Sequence, residues 1–265
     1  MAKYIEYFLY SNSLRTVTLM GISHAALFFS CIAAPCQVND RGKVPAPLKV
    51  HLIGAGEYKP VESLGEFKKH LERQGMSVTT SLGNDSKKLP NLDALQSADV
   101  MLLFVRRMDL PEEQMVLLRK HWQKGKGGVA LRTASHAFQP KDNEVFSKVL
   151  GGTYLGPGSY TAPFKAVTAD GQKAHPVLDG VGPIASRGAY RFELSKTALV
   201  LQVVESDKKV KAPATWVHEH QGVRIFYSTM GSPEDFQNES FRRLLVNAIF
   251  WTTCREAPKA SAEKN

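Results

Sequence analysis

The run Val100-Met101-Leu102-Leu103-Phe104-Val105 carries no polar side chain on either of its alternate faces. A strand sends successive side chains to opposite sides of its sheet, so this one needs apolar cover above and below. Helices packed on both faces of a parallel sheet supply that cover. The flanking segments read as the rest of such a unit. Leu48 to Ile53 is an apolar strand candidate ending at Gly54-Ala55-Gly56; Pro60 then opens a helix in which Val61, Leu64, Phe67 and Leu71 recur at helical spacing before Gly75. Met76 to Leu82 alternates as a strand does. Beyond Val105 a second helix has Pro111 and the acidic pair Glu112-Glu113 at its start, Met115, Leu118 and Trp122 inward, and Gly125 at its stop. Gly128 to Thr133 reads as the next strand. The expected class is α/β, a flavodoxin-like parallel sheet with helices on both faces.

The second half changes character. Phe164 to Ala169, Leu199 to Val204, Ala214 to Val217 and Val223 to Thr229 read as strands with few helices between them, the last two joined in a hairpin around His218 to Gly222. Asn238 is placed to cap a final helix with Phe241, Leu244, Leu245, Ala248 and Ile249 on one face. The domain is expected over residues 48–254. Residues 35–47 read as a linker and 255–265 as a disordered polar tail.

Val17 to Ala34 contains no Asp, Glu, Lys or Arg and follows Lys3 and Arg15. A cationic start, an apolar run and small residues at Ala33 and Ala34 make residues 1–34 a secretory signal, with an uncleaved membrane anchor as the rival. The expected location is periplasmic or secreted, with a membrane partner only if this segment stays attached. Cys31, Cys36 and Cys254 do not make a disulfide framework. The 34 Lys and Arg exceed the 25 Asp and Glu, a net charge of +9, but as scattered pairs such as Lys68-Lys69 and Arg242-Arg243. No basic, aromatic-interleaved tract marks a nucleic-acid partner.

Ligands of open α/β sheets bind outside the carboxyl ends of the strands. That rule selects Gly54 to Lys59, Arg106 to Asp109, Arg132 to Gln139 and Gly231 to Phe236, and with them Glu57, Tyr58, Arg106, Arg107, Arg132, Ser135, His136, Ser232, Glu234 and Asp235. Arg132 offers a rigid fork of donors to a carboxylate, phosphate or polar sugar group, or pairs internally with Glu57 or Asp235. Neighbouring Ser135 and His136 lack the glycines of a nucleophile elbow and are expected to diverge. His218-Glu219-His220 reads as a solvated turn rather than a zinc site, His175 as a loop-holding residue, and His70 and His121 as helix-surface residues. Tyr154 and Tyr160 make either a sugar-stacking wall or core packing. Gly54-Ala55-Gly56 lacks the third glycine of a dinucleotide fingerprint, and no cofactor or metal is expected.

Several segments together resemble the trehalose-utilisation (ThuA-like) family, which has a class I glutamine amidotransferase-like fold. They are Gly127-Gly128-Val129-Ala130-Leu131-Arg132-Thr133-Ala134-Ser135-His136-Ala137-Phe138, His175 to Val181, Pro213 to Trp216, Gly222 to Gly231 and Phe241 to Trp251. The resemblance spans about residues 48–252. It implies a carbohydrate as small-molecule substrate or ligand, with Glu57 or His136 as the proton-transfer group in an enzyme and Tyr58, Arg106, Arg132, Ser135, Ser232 and Glu234 as ligand-binding groups. The sequence departs from the family at Arg132 and Ser232, where relatives often carry histidine. It has no elbow cysteine for glutamine hydrolysis. A noncatalytic sugar- or anion-binding module and a metal-assisted hydrolase using Glu57 with His136 or His175 are the alternatives.

Overall fold

The computed structural model describes residues 46–158, 162–206 and 212–259. In chain order the elements are β1 (Lys49–Ala55), α1 (Pro60–Arg73), β2 (Ser77–Leu82), β3 (Val100–Val105), α2 (Glu112–Gln123), β4 (Gly127–Leu131) and α3 (Pro140–Leu150). There follow β5 (Gly152–Pro157), β6 (Pro163–Thr168), β7 (Ile184–Arg187), β8 (Tyr190–Leu194), β9 (Leu199–Glu205), β10 (Pro213–His220), β11 (Val223–Ser228) and α4 (Glu239–Thr252). Among the described residues one sheet runs β2-β1-β3-β4-β11-β10-β9-β6-β7, and β5 pairs with β8 in a separate ribbon. The first five strands of that order are parallel and the other four antiparallel.

The alternation along β3 divides the core as its sequence requires. Val100, Leu102 and Phe104 pack with Leu64, Phe67 and Leu71 of α1 and with Phe241, Leu244 and Leu245 of α4. Met101, Leu103 and Val105 pack on the other face with Met115, Leu118 and Trp122 of α2 and Phe146, Val149 and Leu150 of α3. The α/β class with a β-rich second half is therefore the observed one. The antiparallel extension comes from the hairpin of β10 and β11, which turns at Gln221-Gly222 and sets Val217 opposite Phe226. Asn238 caps α4 as its chemistry predicts, its Oδ1 accepting from Phe241 N at 3.1 Å. The helix is pressed against β4: a Cβ on Gly127 would collide with the Thr252 carbonyl.

β1 has β2 on one side and β3 on the other, so strand order reverses between β1 and β3. In a sheet of this kind a crevice opens at that point beyond the carboxyl ends of the strands. The loops after β1, β3, β4 and β11 all reach it. Stretches 1–45, 159–161, 207–211 and 260–265 lie outside the described residues, and with them the proposed signal, most of the linker, Cys31, Cys36 and Tyr160.

Candidate functional site

β4 ends at Leu131 and passes at once into a short 3₁₀ turn, Arg132–His136, with Arg132 at φ 46°. Left-handed backbone is costly for a residue with a Cβ and persists only where its surroundings impose it. Tyr58 at 69°, Lys59 at 52° and Arg107 at 50° do the same after β1 and β3. Hydrogen bonds between loops hold these turns. Arg107 N donates to His136 O at 3.0 Å, Met108 N to Ala137 O at 2.7 Å, and the Tyr227 hydroxyl to Arg132 O. A sharp strand-to-helix turn is where hydrolases of related architecture mount their nucleophile. Here that position holds a guanidinium, which is a donor on every nitrogen and has no electron pair for attack.

The Arg132 side chain is buried, with 1% exposure. Its Nη1 donates to Arg187 O at 3.1 Å and more weakly to Thr229 O at 3.5 Å, while Nε has no partner among the described residues. Its Cζ lies 4.2 Å from the centre of the Tyr58 ring and 5.5 Å from that of Tyr190. The alternative of an internal ion pair with Glu57 or Asp235 is not what the structure shows. Glu57 is 59% exposed at its side chain and pairs with Arg106. Asp235 is buried and its Oδ2 accepts from Gly231 N at 2.7 Å, Ser232 N at 2.8 Å and Ser186 Oγ at 2.9 Å. Uncharged donors so completely placed leave the carboxylate no need of the arginine. Burial still raises the Asp235 pKa against the pull of those donors. Glu234 is exposed, and its pKa is lowered chiefly by its own backbone N–H, with smaller effects from Ser232, Arg187 and Arg132.

Ser135 and His136 were expected to diverge, yet Ser135 Oγ lies 3.1 Å from His136 Nδ1. The tight turn swings both side chains to the same side. Ser135 Oγ also donates to Arg132 O at 3.3 Å, which assigns the ring hydrogen to Nδ1 and leaves Nε2 as an acceptor. Burial, then Arg106 and Arg107, hold the His136 pKa down to about 4, so the ring is neutral at pH 7. It stacks on Tyr154, with centroids 4.5 Å apart, and Tyr154 meets Tyr190 edge to face at 5.2 Å. Tyr154 thus lines the site and packs at once. Burial raises the pKa of Tyr190 above the ordinary phenol value, as it does for Tyr227.

The strand-end loops therefore bring Tyr58, Arg106, Arg132, Ser135 and His136 near one another, with Glu57 and Glu234 exposed. Sequence reasoning missed Tyr190, Arg187 and Tyr227. No local pattern marks them: they arrive because the β5 and β8 ribbon folds over the elbow and β11 lies beside β4. Three other histidines serve the fold. His175 Nδ1 accepts from Val177 N at 3.2 Å, as a loop-holding residue should. His218 sits within β10, buried and 3.2 Å from Thr197 Oγ1, so only Gln221-Gly222 forms the turn assigned to the whole segment. His121 is buried rather than on the helix surface, its Nε2 3.0 Å from Gly127 O. Its spacing from Leu118 and beside Trp122 places it on the inner face of α2. Among the described residues no three His, Cys, Asp or Glu side chains are grouped to hold a metal ion.

An open α/β sheet with an elbow at this strand end defines a protein of the glutamine amidotransferase-like fold. The solved structures agree: a glutamine amidotransferase from Thermotoga maritima matches with TM-score 0.50 at 13% identity, over 78% of this chain and 98% of its own. ThuA-like proteins from Parabacteroides merdae (TM-score 0.63, 17% identity, 82% and 94% covered) and Bacteroides uniformis (0.61, 17%, 81% and 95%) also match. The family profile described as ThuA, trehalose utilisation, matches residues 53–252, and the chain belongs to that family. No curated protein matches it.

Proposed function

We propose that the crevice binds a carbohydrate and that the protein works outside the cytoplasm as a sugar-binding member of its family, without glutaminase activity. The observation that carries this reading is the elbow itself. A buried guanidinium occupies the position of a nucleophile, and the aromatic rings of Tyr58 and Tyr190 stand against it. A sugar ring has apolar C–H faces and a hydroxyl rim. Rings such as Tyr154 and Tyr190 suit the faces, and Arg132 with the Nε2 acceptor of His136 suits the rim. The family's description as trehalose utilisation supports the same ligand class.

Binding is favoured over hydrolysis by the state of the proton-transfer candidates. Glycoside cleavage needs an acid and a base flanking the bond. Glu57 is engaged by Arg106, and neutral His136 has no carboxylate hydrogen-bonded to it among the described residues. Cys254 follows α4, whose last residue Thr252 lies against Gly127 at the start of β4, the end of that strand opposite the elbow, so it cannot stand in for the missing thiol.

Calorimetric titration of the folded protein with trehalose, glucose, galactose and their oxidised derivatives tests the proposal. Saturable binding of at least one sugar is expected, with loss of that binding in Tyr154→Ala while the variant still unfolds cooperatively, at a lower melting temperature because the ring also packs on Tyr190 and Phe192. Absence of binding across the panel, or release of new products from any bound sugar, overturns the proposed role. Secretion is read separately, from the mass of the mature amino terminus: cleavage near Ala34 supports export, and an intact Met1 on soluble cytoplasmic protein contradicts it.

A further inference from the structure

We propose that the sugar recognised here carries a carboxylate and that Arg132 is the group that receives it. This inference rests on the sugar-binding reading and narrows it to acidic sugars. Three observations converge on it.

The first is charge. An ion removed from water needs a counter-charge or a full set of hydrogen bonds. Arg132 is 1% exposed, yet each nearby acid is engaged elsewhere or in water. Glu57 is held by Arg106, Asp235 by two backbone N–H groups and Ser186, and Glu234 is exposed and forms no ion pair with Arg132. The second is the direction of the unused donor. Nη1 is committed to the carbonyls of Arg187 and Thr229, whereas Nε is buried without an acceptor among the described residues. The Tyr58 ring covers a face of the guanidinium, so an acceptor must approach in its plane from the Nε side. Two coplanar oxygens meet a guanidinium edge best, which is carboxylate geometry.

The third lies at the neighbouring strand end. β11 runs parallel to β4 with Ser228 beside Leu131, which places Thr229 next to Arg132. The hydroxyls of Thr229 and of Thr133, one residue beyond the arginine, are also buried and without partners among the described residues. Among the described residues Arg132 is the one buried Arg or Lys, while Arg106 is paired with Glu57 and Arg107 and Arg187 are exposed, so its single charge with hydroxyl donors nearby balances a monoanion. A phosphate dianion would leave one negative charge uncompensated in the same low-dielectric space, which separates a uronate from a sugar phosphate.

Calorimetric titrations of the full domain with glucose and glucuronate, galactose and galacturonate, glucose 6-phosphate, and acetate decide the matter. A uronate should bind at least about tenfold more tightly than its parent sugar, and the parent more tightly than acetate, the gain expected of a charge-assisted pair of hydrogen bonds. Arg132→Met should erase that ratio, bringing the uronate's affinity down to that of its parent sugar in the same variant. Because a buried substitution can unfold the chain, Thr229→Val provides a second variant, expected to reduce the ratio several-fold at nearly constant volume. Equal affinities for uronate and parent sugar would overturn the inference and leave the sugar reading standing. Preference for the 6-phosphate would overturn it too. Failure of every sugar to bind would overturn the sugar reading itself.

Discussion

Acidification should destabilise this protein through His121, and the size of the effect follows from where the ring sits. The imidazole is 3% exposed on the inner side of α2; Nε2 meets the Gly127 carbonyl and Nδ1 has no partner among the described residues. Protonation would place a second N–H and a full charge where nothing described accepts them. Burial is the largest cause of a pKa lowered from 6.5 to about 4, only partly opposed by the Gly127 hydrogen bond. The unfolded chain takes the proton first as pH falls. Stability is therefore complete above about pH 6.5 and drains away as pH drops toward 4. At about pH 5 the loss from this one residue amounts to about 2 kcal/mol, and it approaches about 3 kcal/mol near pH 4.

The measurement is urea unfolding of the wild type and of His121→Gln at about pH 7.5 and about pH 5, with the slope against urea checked for constancy. Glutamine keeps an N–H for the Gly127 carbonyl and has no proton to gain. His51, with its pKa also held to about 4 by burial, titrates in both proteins and cancels in the comparison. Its ring nitrogens lie 2.7 Å from Thr79 Oγ1 and 2.8 Å from Ser81 Oγ, hydroxyls that can rotate to accept. The variant should lose about 2 kcal/mol less than the wild type between the two pH values. An equal loss in both proteins would refute the assignment of acid sensitivity to the buried α2 histidine.

Gly127→Ala should cost about 3 kcal/mol or more, because its Cβ would meet backbone of Thr252 rather than a movable side-chain end, and thermal unfolding would show the drop. Asp235→Ala strands the N–H groups of Gly231 and Ser232 inside the protein; a loss of about 2–4 kcal/mol by urea unfolding is expected, together with weakened sugar binding as the loop after β11 relaxes.

Much of the scaffold could be derived from side-chain order alone. The two-faced burial of β3 was implicit in six consecutive apolar residues, the inward faces of α1 and α2 in their helical spacing, and the start of α4 in the capping chemistry of Asn238. The four loops of the crevice followed from the strand polarity that such units impose. These signals are local: they depend on the period of the chain and on which residues tolerate a turn. His121 belongs with them, since its spacing from Leu118 pointed inward and only its polarity argued otherwise.

What the elbow does was decided by long-range packing. Whether Arg132 met Glu57, Asp235 or neither depended on β3 delivering Arg106 to Glu57 and on the loop after β11 wrapping its N–H groups around Asp235. The convergence of Ser135 and His136 depended on a left-handed turn that no glycine announced, stitched in place by Arg107, Met108 and Tyr227. Tyr190 reached the arginine through the pairing of β8 with β5. Contacts such as Arg107–His136, Arg106–Glu57 and Tyr227–Arg132 join residues 29, 49 and 95 positions apart in the chain, where periodicity carries no information. Sequence determined the sheet and its strand-end loops; the tertiary fold left one buried cation there without a counter-charge among the described residues.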